Sequence, residues 1–510
     1  MTSAVGFRSE RGPILVALML STSLVALDST IIATAVPSIV KSLGGFARFP
    51  WLFSIYLLAQ AVTVPIYGKL ADLFGRKPVI MFGIGLFLLG SILCGLAWSM
   101  TALIAFRVVQ GLGAGAVQPM SMTIVGDLYS LEERARVQGY LASVWGISSV
   151  VGPMLGGLFS EYISWRWIFF VNIPLCLLAA GMLLRTFSEQ VQRRHPQIDY
   201  RGAALLTSGC TLLILGVLEG GQSWSWVSAT SISILALGVV LIAAFVLVER
   251  GAAEPVLPLW VFRRRLLLTS SLVSAFVGAV VLGLSSYVAT YVQDVLGTGA
   301  VIAGLAVGAL TLGWPVSAAQ SGKLYLRMGF RACALIGSAL AVAGTALLGL
   351  LNASSTVIQV AATCFVIGLG MGLVAAPTLI AAQSTVGWQD RGVVTGTNMF
   401  SRSLGSALGV AVFGAIANAT LGATTRGRNG GHSVAALMTA THHVFLAIAV
   451  LAVAMAVAVS SMPGGGAPDV DAVGTGPDRA ADAEHAAEAE QGAHAEYAAH
   501  AETEMDAKPA

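Results

Sequence analysis

Fourteen stretches of about twenty mostly apolar residues follow one another along this chain, and that repetition leaves few folds open. They fall at about 13–36, 51–68, 78–98, 102–126, 136–159, 166–185, 201–218, 229–248, 266–290, 300–319, 331–350, 355–381, 393–419 and 437–460. A helix needs about 20 such residues to cross the hydrocarbon core of a bilayer. A membrane barrel would instead show alternating segments of about 10 residues, and none is visible. Charged residues make up 10% of the 510 positions, against about 25% in soluble domains. The expected fold class is therefore an all-α polytopic membrane protein with fourteen spans. Arg8 and Arg11, with Ala33-Thr34-Ala35 further on, resemble a cleaved leader. Asp28 within that block, and the many spans behind it, favour a retained first helix.

The basic residues give an orientation. If the N-terminus is cytoplasmic, loops on that side carry 19 Lys and Arg before the tail, and the opposite loops carry 5. Lys and Arg accumulate in cytoplasmic loops, so both termini are expected on the cytoplasmic face of the cell membrane. The triplet Arg263-Arg264-Arg265 reads as part of the same signal. From Ala467 onward the chain holds 11 acidic and 2 basic residues, which leaves the remainder strongly basic. Topology accounts for that excess without nucleic acid. The Ala/Glu/Asp-rich tail has little apolar surface to bury and is expected to be disordered. The five cysteines lie inside apolar blocks with no CxxC pair, and read as small hydrophobes.

A weak internal repeat divides the chain. Residues 68–77 read GKLADLFGRK and residues 322–331 read GKLYLRMGFR, 254 positions later. QGLGAGA at 110–116 is echoed by IGLGMGL at 367–373. Duplicated halves are common in transporters, whose substrate site lies between them near the midplane. The expected organisation is a cytoplasmic N-terminus (1–12), a six-helix bundle (13–185), two inserted helices with flanking loops (186–265), a second six-helix bundle (266–460) and the acidic tail (461–510).

Charges deep inside spans are costly and mark functional sites by default. Three stand out: Asp28 in the first span, Arg107 in the fourth and Arg402 in the thirteenth. A lone carboxylate in an apolar helix is expensive to keep charged, so Asp28 is a candidate to take up and release protons. Arg107 stays cationic at any physiological pH and is the candidate counter-charge. No P-loop, zinc-ligand cluster or nucleophile elbow occurs, so the expectation is a transporter and not an enzyme. No cofactor or metal is expected, and the proton gradient is the expected energy source.

Several longer motifs carry a family resemblance across about residues 13–460. Leu27-Asp28-Ser29-Thr30 through Val36-Pro37 resembles the first-helix signature of the fourteen-span drug:H⁺ antiporters, a multidrug efflux branch of the major facilitator superfamily. Gly68, Asp72, Gly75, Arg76 and Lys77 match the superfamily's loop between helices 2 and 3. The resemblance implies that this loop latches the two bundles on the cytoplasmic side, with Asp127 as a candidate partner for Arg76. The second copy has Leu326 where Asp72 stands, so only the first is expected to carry the acidic latch. Arg107 through Gly115 is similar to the family's helix-4 motif. Gly146, Gly152, Pro153, Gly156 and Gly157 match its helix-5 antiporter motif, which the family associates with export.

The resemblance thus implies a proton-coupled secondary exporter that moves lipophilic or cationic drugs, dyes or antibiotics by alternating access. An exporter of an endogenous lipid, siderophore or secondary metabolite fits the same residues. So does a membrane sensor built on this scaffold, although the intact loop and the Asp28/Arg107 pair weigh against it. The expected partners are the lipid bilayer, protons and a small lipophilic substrate of low charge. The chain is expected to act as a monomer.

Overall fold

The computed structural model describes residues 6, 9–44, 51–189, 199–220, 224–252, 255–424 and 434–464. The acidic tail beyond residue 464 lies outside the described residues. Among the described residues, fourteen helices are long and apolar enough to cross a membrane. They are α1 (Gly12–Leu43), α2 (Trp51–Phe74), α3 (Arg76–Gly95), α4 (Met100–Leu128), α5 (Leu131–Tyr162), α6 (Trp167–Thr186) and α7 (Tyr200–Glu219). The rest are α8 (Ala229–Glu249), α9 (Arg265–Thr290), α10 (Ala300–Met328), α11 (Phe330–Gly349), α12 (Val357–Ser384), α13 (Arg391–Thr424) and α14 (Val434–Ser460). No strand occurs among the described residues. In lipid every backbone group must be satisfied inside the segment, which the helix achieves. The chain is a multi-pass membrane protein.

Many helices outrun their apolar blocks, because polar ends are held by caps and not by hydropathy. α5 begins at Leu131, where Ser130 and Glu133 form a capping box and the Glu133 carboxylate accepts from the Ser130 amide at 3.0 Å. α2 continues through the expected loop as far as Phe74, and Arg76 already starts α3. The segment 68–77 is therefore not a loop. It is two helix ends joined at Gly75, whose φ of 96° strains any residue with a Cβ. Gly329 repeats that turn at φ 85°, between α10 and α11, at the matching position of the second copy.

Packing follows the same duplication. α1 packs on α5 and α6, and α4 on α2 and α3. Further along, α9 packs on α13 and α14, and α12 on α10 and α11. The two largest crossings between these groups are α2 against α13 and α5 against α10. Both are close. A Cβ on Gly68 would lie 2.6 Å from the Gly392 carbonyl oxygen, and one on Gly139 would lie 2.7 Å from the Ala319 side chain. α7 and α8 pair with each other, and α7 touches α2 and α13. Only 17% of the most apolar window of α8 is buried, so nearly all of it faces outward.

Candidate functional site

Asp28 sits about four turns before the end of α1, buried to 1% exposure, and α4 supplies its partners. Arg107 and Gln110 are three residues apart and so share one face of α4. The Arg107 Nη1 donates to Asp28 Oδ2 at 2.6 Å, and the Gln110 Nε2 donates to Oδ1 at 2.8 Å. Arg107 also donates to Gln110 Oε1 at 2.8 Å and, through Nε, to the Leu52 carbonyl at 3.1 Å. Its guanidinium lies 4.1 Å from the Tyr56 ring centre. Gln110 reaches Ser91 Oγ at 2.8 Å, and Asn172 donates to the same oxygen at 3.3 Å. The network thus draws on α1, α2, α3, α4 and α6. Removing one member of such a buried pair costs about 3–5 kcal/mol, because the other charge is stranded.

The helix-5 glycines pack against the turn that follows Asp28. A Cβ on Gly152 would lie 2.0 Å from Thr30 Oγ1, and one on Gly156 would lie 2.3 Å from the Ile31 carbonyl oxygen. Thr30 and Thr34 hydroxyls donate to the Ser148 and Pro153 carbonyls at 2.9 and 3.2 Å. Small residues permit such close helix contact. Gly157 meets nothing within 4 Å, and Gly146 faces α10, where a Cβ would lie 3.5 Å from the Thr311 carbonyl. The motif's residues therefore do different things: of its glycines only Gly152 and Gly156 bear on α1, and Pro153 meets α1 through its carbonyl.

A second charged cluster closes the end of the bundle where α2 meets α3. Arg76 is fully buried, 2.9 Å from Asp72 and 3.0 Å from Asp127. Its guanidinium stacks 3.8 Å from the Trp388 ring centre and donates to the Trp388 carbonyl. Arg391 bonds the other oxygen of Asp127 at 3.0 Å and the Gly126 carbonyl at 3.0 Å. The Asp72 carboxylate accepts the backbone amides of Gly392 and Val393 at 2.9 and 2.7 Å, which caps the start of α13 from another helix. Lys77 takes no part across this gap. Its ammonium donates to the Leu184 and Phe187 carbonyls, while Glu189 accepts the amides of Arg76 and Lys77, both at 3.0 Å. In the second copy, where Leu326 replaces the acid, the Tyr325 hydroxyl instead donates to the Leu131 carbonyl.

Between the two groups of helices lies a cavity of about 340 Å³. Ser29, Tyr56, Gln60, Arg107 and Trp145 line one side, and Met399, Arg402 and Ser406 line the other. Asp28 itself stays behind the wall. A larger apolar groove of about 600 Å³ runs between α9, α13 and α14. Leu408, Val412, Leu446 and Val450 on its walls are between 46% and 63% exposed, so it opens to the outside of the bundle, away from the charged residues. The central cavity is the candidate binding site.

The family model for the Major Facilitator Superfamily matches residues 18–410. The chain belongs to that superfamily. Within it, the chain is 33% identical over 420 residues to the multidrug transporter protein MdtP of Bacillus subtilis, covering 82% of this chain and 78% of the relative. It is 34% identical over 403 residues to multidrug resistance protein 3 of the same bacterium, covering 79% of each. The efflux pump dotC of Dothistroma septosporum is 34% identical over 404 residues, with 78% of this chain and 70% of the pump covered. These relatives and the fourteen spans place the chain in the superfamily's fourteen-span drug-efflux branch. Among solved structures, the human organic anion transporter MFSD10 superposes with a TM-score of 0.62 at 17% identity, covering 88% of this chain and 99% of that one. At that identity the likeness concerns the fold alone.

Asp28, Arg107, Asp72, Arg76 and Asp127 stand out in the sequence, and the superfamily fold brings them into two clusters. Gln110, Trp388, Arg391 and Glu189, which join them, do not stand out there. Gln110 was within reach, since it lies three residues after Arg107. The other three sit in or beside loops, and only the assembled fold gives them partners.

Proposed function

We propose that this chain is a proton-coupled exporter of lipophilic drugs, dyes or antibiotics. It would work by alternating access in the cell membrane, with both termini in the cytoplasm. Efflux is named for the relative dotC, and multidrug transport and multidrug resistance for the two Bacillus relatives. One observation carries the coupling: Arg107 lines the central cavity and at the same time holds buried Asp28 at 2.6 Å. A proton on Asp28 cancels the carboxylate charge and deprives Arg107 of its counter-ion. Proton binding therefore changes the electrostatics met by a molecule in the cavity, although the two never touch. Thr30 and Ile31, against Gly152 and Gly156, tie that change to α5, which crosses to the other half. The Asp72/Arg76/Asp127/Arg391 cluster is the closed cytoplasmic gate in this reading.

The test is uptake of ethidium and of neutral N-phenyl-1-naphthylamine into inverted vesicles under an imposed ΔpH, with Asp28→Asn beside the wild type. ΔpH-driven uptake of at least one of the two probes by the wild type, absent in Asp28→Asn, is expected. Uptake indifferent to ΔpH removes proton coupling, and normal driven uptake by the variant removes Asp28 from it.

A further inference from the structure

Arg402 is the intramembrane charge that the coupling network does not use. It lies 11 residues into α13, about 16 Å along the helix, which places it deep within the span. Its Nε is buried with no hydrogen-bond partner. Among the described residues no carboxylate pairs with its guanidinium, and its one aromatic neighbour is the Trp314 ring at 5.6 Å. The contrast with Arg107 is sharp, since that side chain meets Asp28, Gln110 and the Leu52 carbonyl. An unpaired cation inside a membrane is costly, and this one, half-buried, faces the cavity.

The rest of the wall does not answer that charge. Among the described residues, no carboxylate lines the cavity. Asp28 lies behind it, with one oxygen held by Arg107 and the other by Gln110. Gln60 donates to the Gln118 carbonyl oxygen at 2.9 Å, and the Ser29 and Ser403 hydroxyls donate to carbonyls of their own helices at 2.7 and 3.2 Å. The cavity therefore offers a fork of unused guanidinium donors above aromatic and Met side chains. Planar or tripodal oxyanions match such a fork, often in bidentate fashion, and flat apolar bodies match Tyr56, Trp145 and Met399.

We propose that the central cavity takes lipophilic organic monoanions, an aromatic or alkyl body bearing one carboxylate or sulfonate, and that Arg402 binds the anionic group. Its transport arm rests on the exporter reading, but its binding arm does not. Arg402 is then the residue that selects substrate charge, and a cation such as ethidium is the disfavoured class.

The probes are 8-anilinonaphthalene-1-sulfonate and its near-isostere without the sulfonate, N-phenyl-1-naphthylamine. Their dissociation constants are measured on purified wild type, Arg402→Gln and Arg402→Lys by calorimetry. Loss of a charge-assisted hydrogen bond should shift the ratio of the two constants by about tenfold or more in Arg402→Gln. The neutral probe should bind as before, and Arg402→Lys should recover part of the shift. An unchanged ratio in Arg402→Gln overturns the proposal. Should that variant fail to fold, seen as loss of the neutral probe too, the wild type alone decides: ethidium bound as tightly as the sulfonate overturns it, and sulfonate preferred over ethidium sustains it. In vesicles, ΔpH-driven uptake of the neutral probe without Arg402-dependent sulfonate binding leaves the exporter standing and sinks the anion site. Arg402-dependent sulfonate binding without uptake of any probe does the reverse.

Discussion

Gly68→Ala tests the closed end directly. The added methyl would sit 2.6 Å from the Gly392 carbonyl oxygen and 3.1 Å from its carbon, and both are backbone atoms that cannot rotate away. Carbon and carbonyl oxygen settle at about 3.3 Å or more, so α2 and α13 must part by roughly 0.7 Å. That displacement also stretches the amides of Gly392 and Val393 away from Asp72. Overfilling a packed contact costs about 1–3 kcal/mol, and here the cost falls only on the closed arrangement. The open population should rise about 5- to 150-fold. The reporter is Thr395→Cys, at a fully buried position in the second turn of α13, in a chain whose five native cysteines are buried. Its maleimide labelling rate follows the open fraction when reclosing outpaces labelling. Gly85→Ala is the control, since its methyl would meet nothing within 4 Å. A labelling rate for Gly68→Ala within about twofold of the parent would refute the claim that this contact holds the end shut.

Other substitutions separate residues that sequence motifs group together. Gly156→Ala should lower the thermal midpoint by several degrees and impair transport, because its methyl meets the Ile31 carbonyl at 2.3 Å, while Gly157→Ala should change neither. Differential scanning of the two purified variants decides it. Asp127→Asn should loosen both Arg76 and Arg391, so a double-mutant cycle with Arg391→Gln should show coupling of about 0.5–3 kcal/mol in unfolding experiments; strictly additive effects would contradict the shared contact. Tyr325→Phe removes one hydroxyl donated to the Leu131 carbonyl and should raise the same Thr395→Cys labelling rate by about 2- to 10-fold.

Hydropathy made the fourteen spans legible, because apolar length is a local property. Their ends were not. α13 starts at Arg391 because Asp72, 320 positions away, caps it, and no local pattern could announce that. α2 runs through Gly68 and Asp72 because a single positive-φ glycine suffices to turn the chain, so a motif read as a loop is mostly helix. Asp28 and Arg107 stood out as charges among apolar neighbours, yet their 2.6 Å contact depends on how α1 and α4 pack. The members of the Arg76 cluster that no motif marks, Trp388, Arg391 and Glu189, are ordinary residues at or just beyond helix ends. Position in the assembled fold, and not residue type, gives them their partners.

The burial of Arg76 has one more consequence. Surface ion pairs weaken as salt rises, whereas pairs shielded from water are screened far less. Arg11 and Glu133, at 3.4 Å with Arg11 half exposed, belong to the first kind. Arg76, covered by Trp388 and holding two carboxylates, belongs to the second. Swings in ionic strength outside the protein, from osmotic shock to drought, should thus leave this lock fastened.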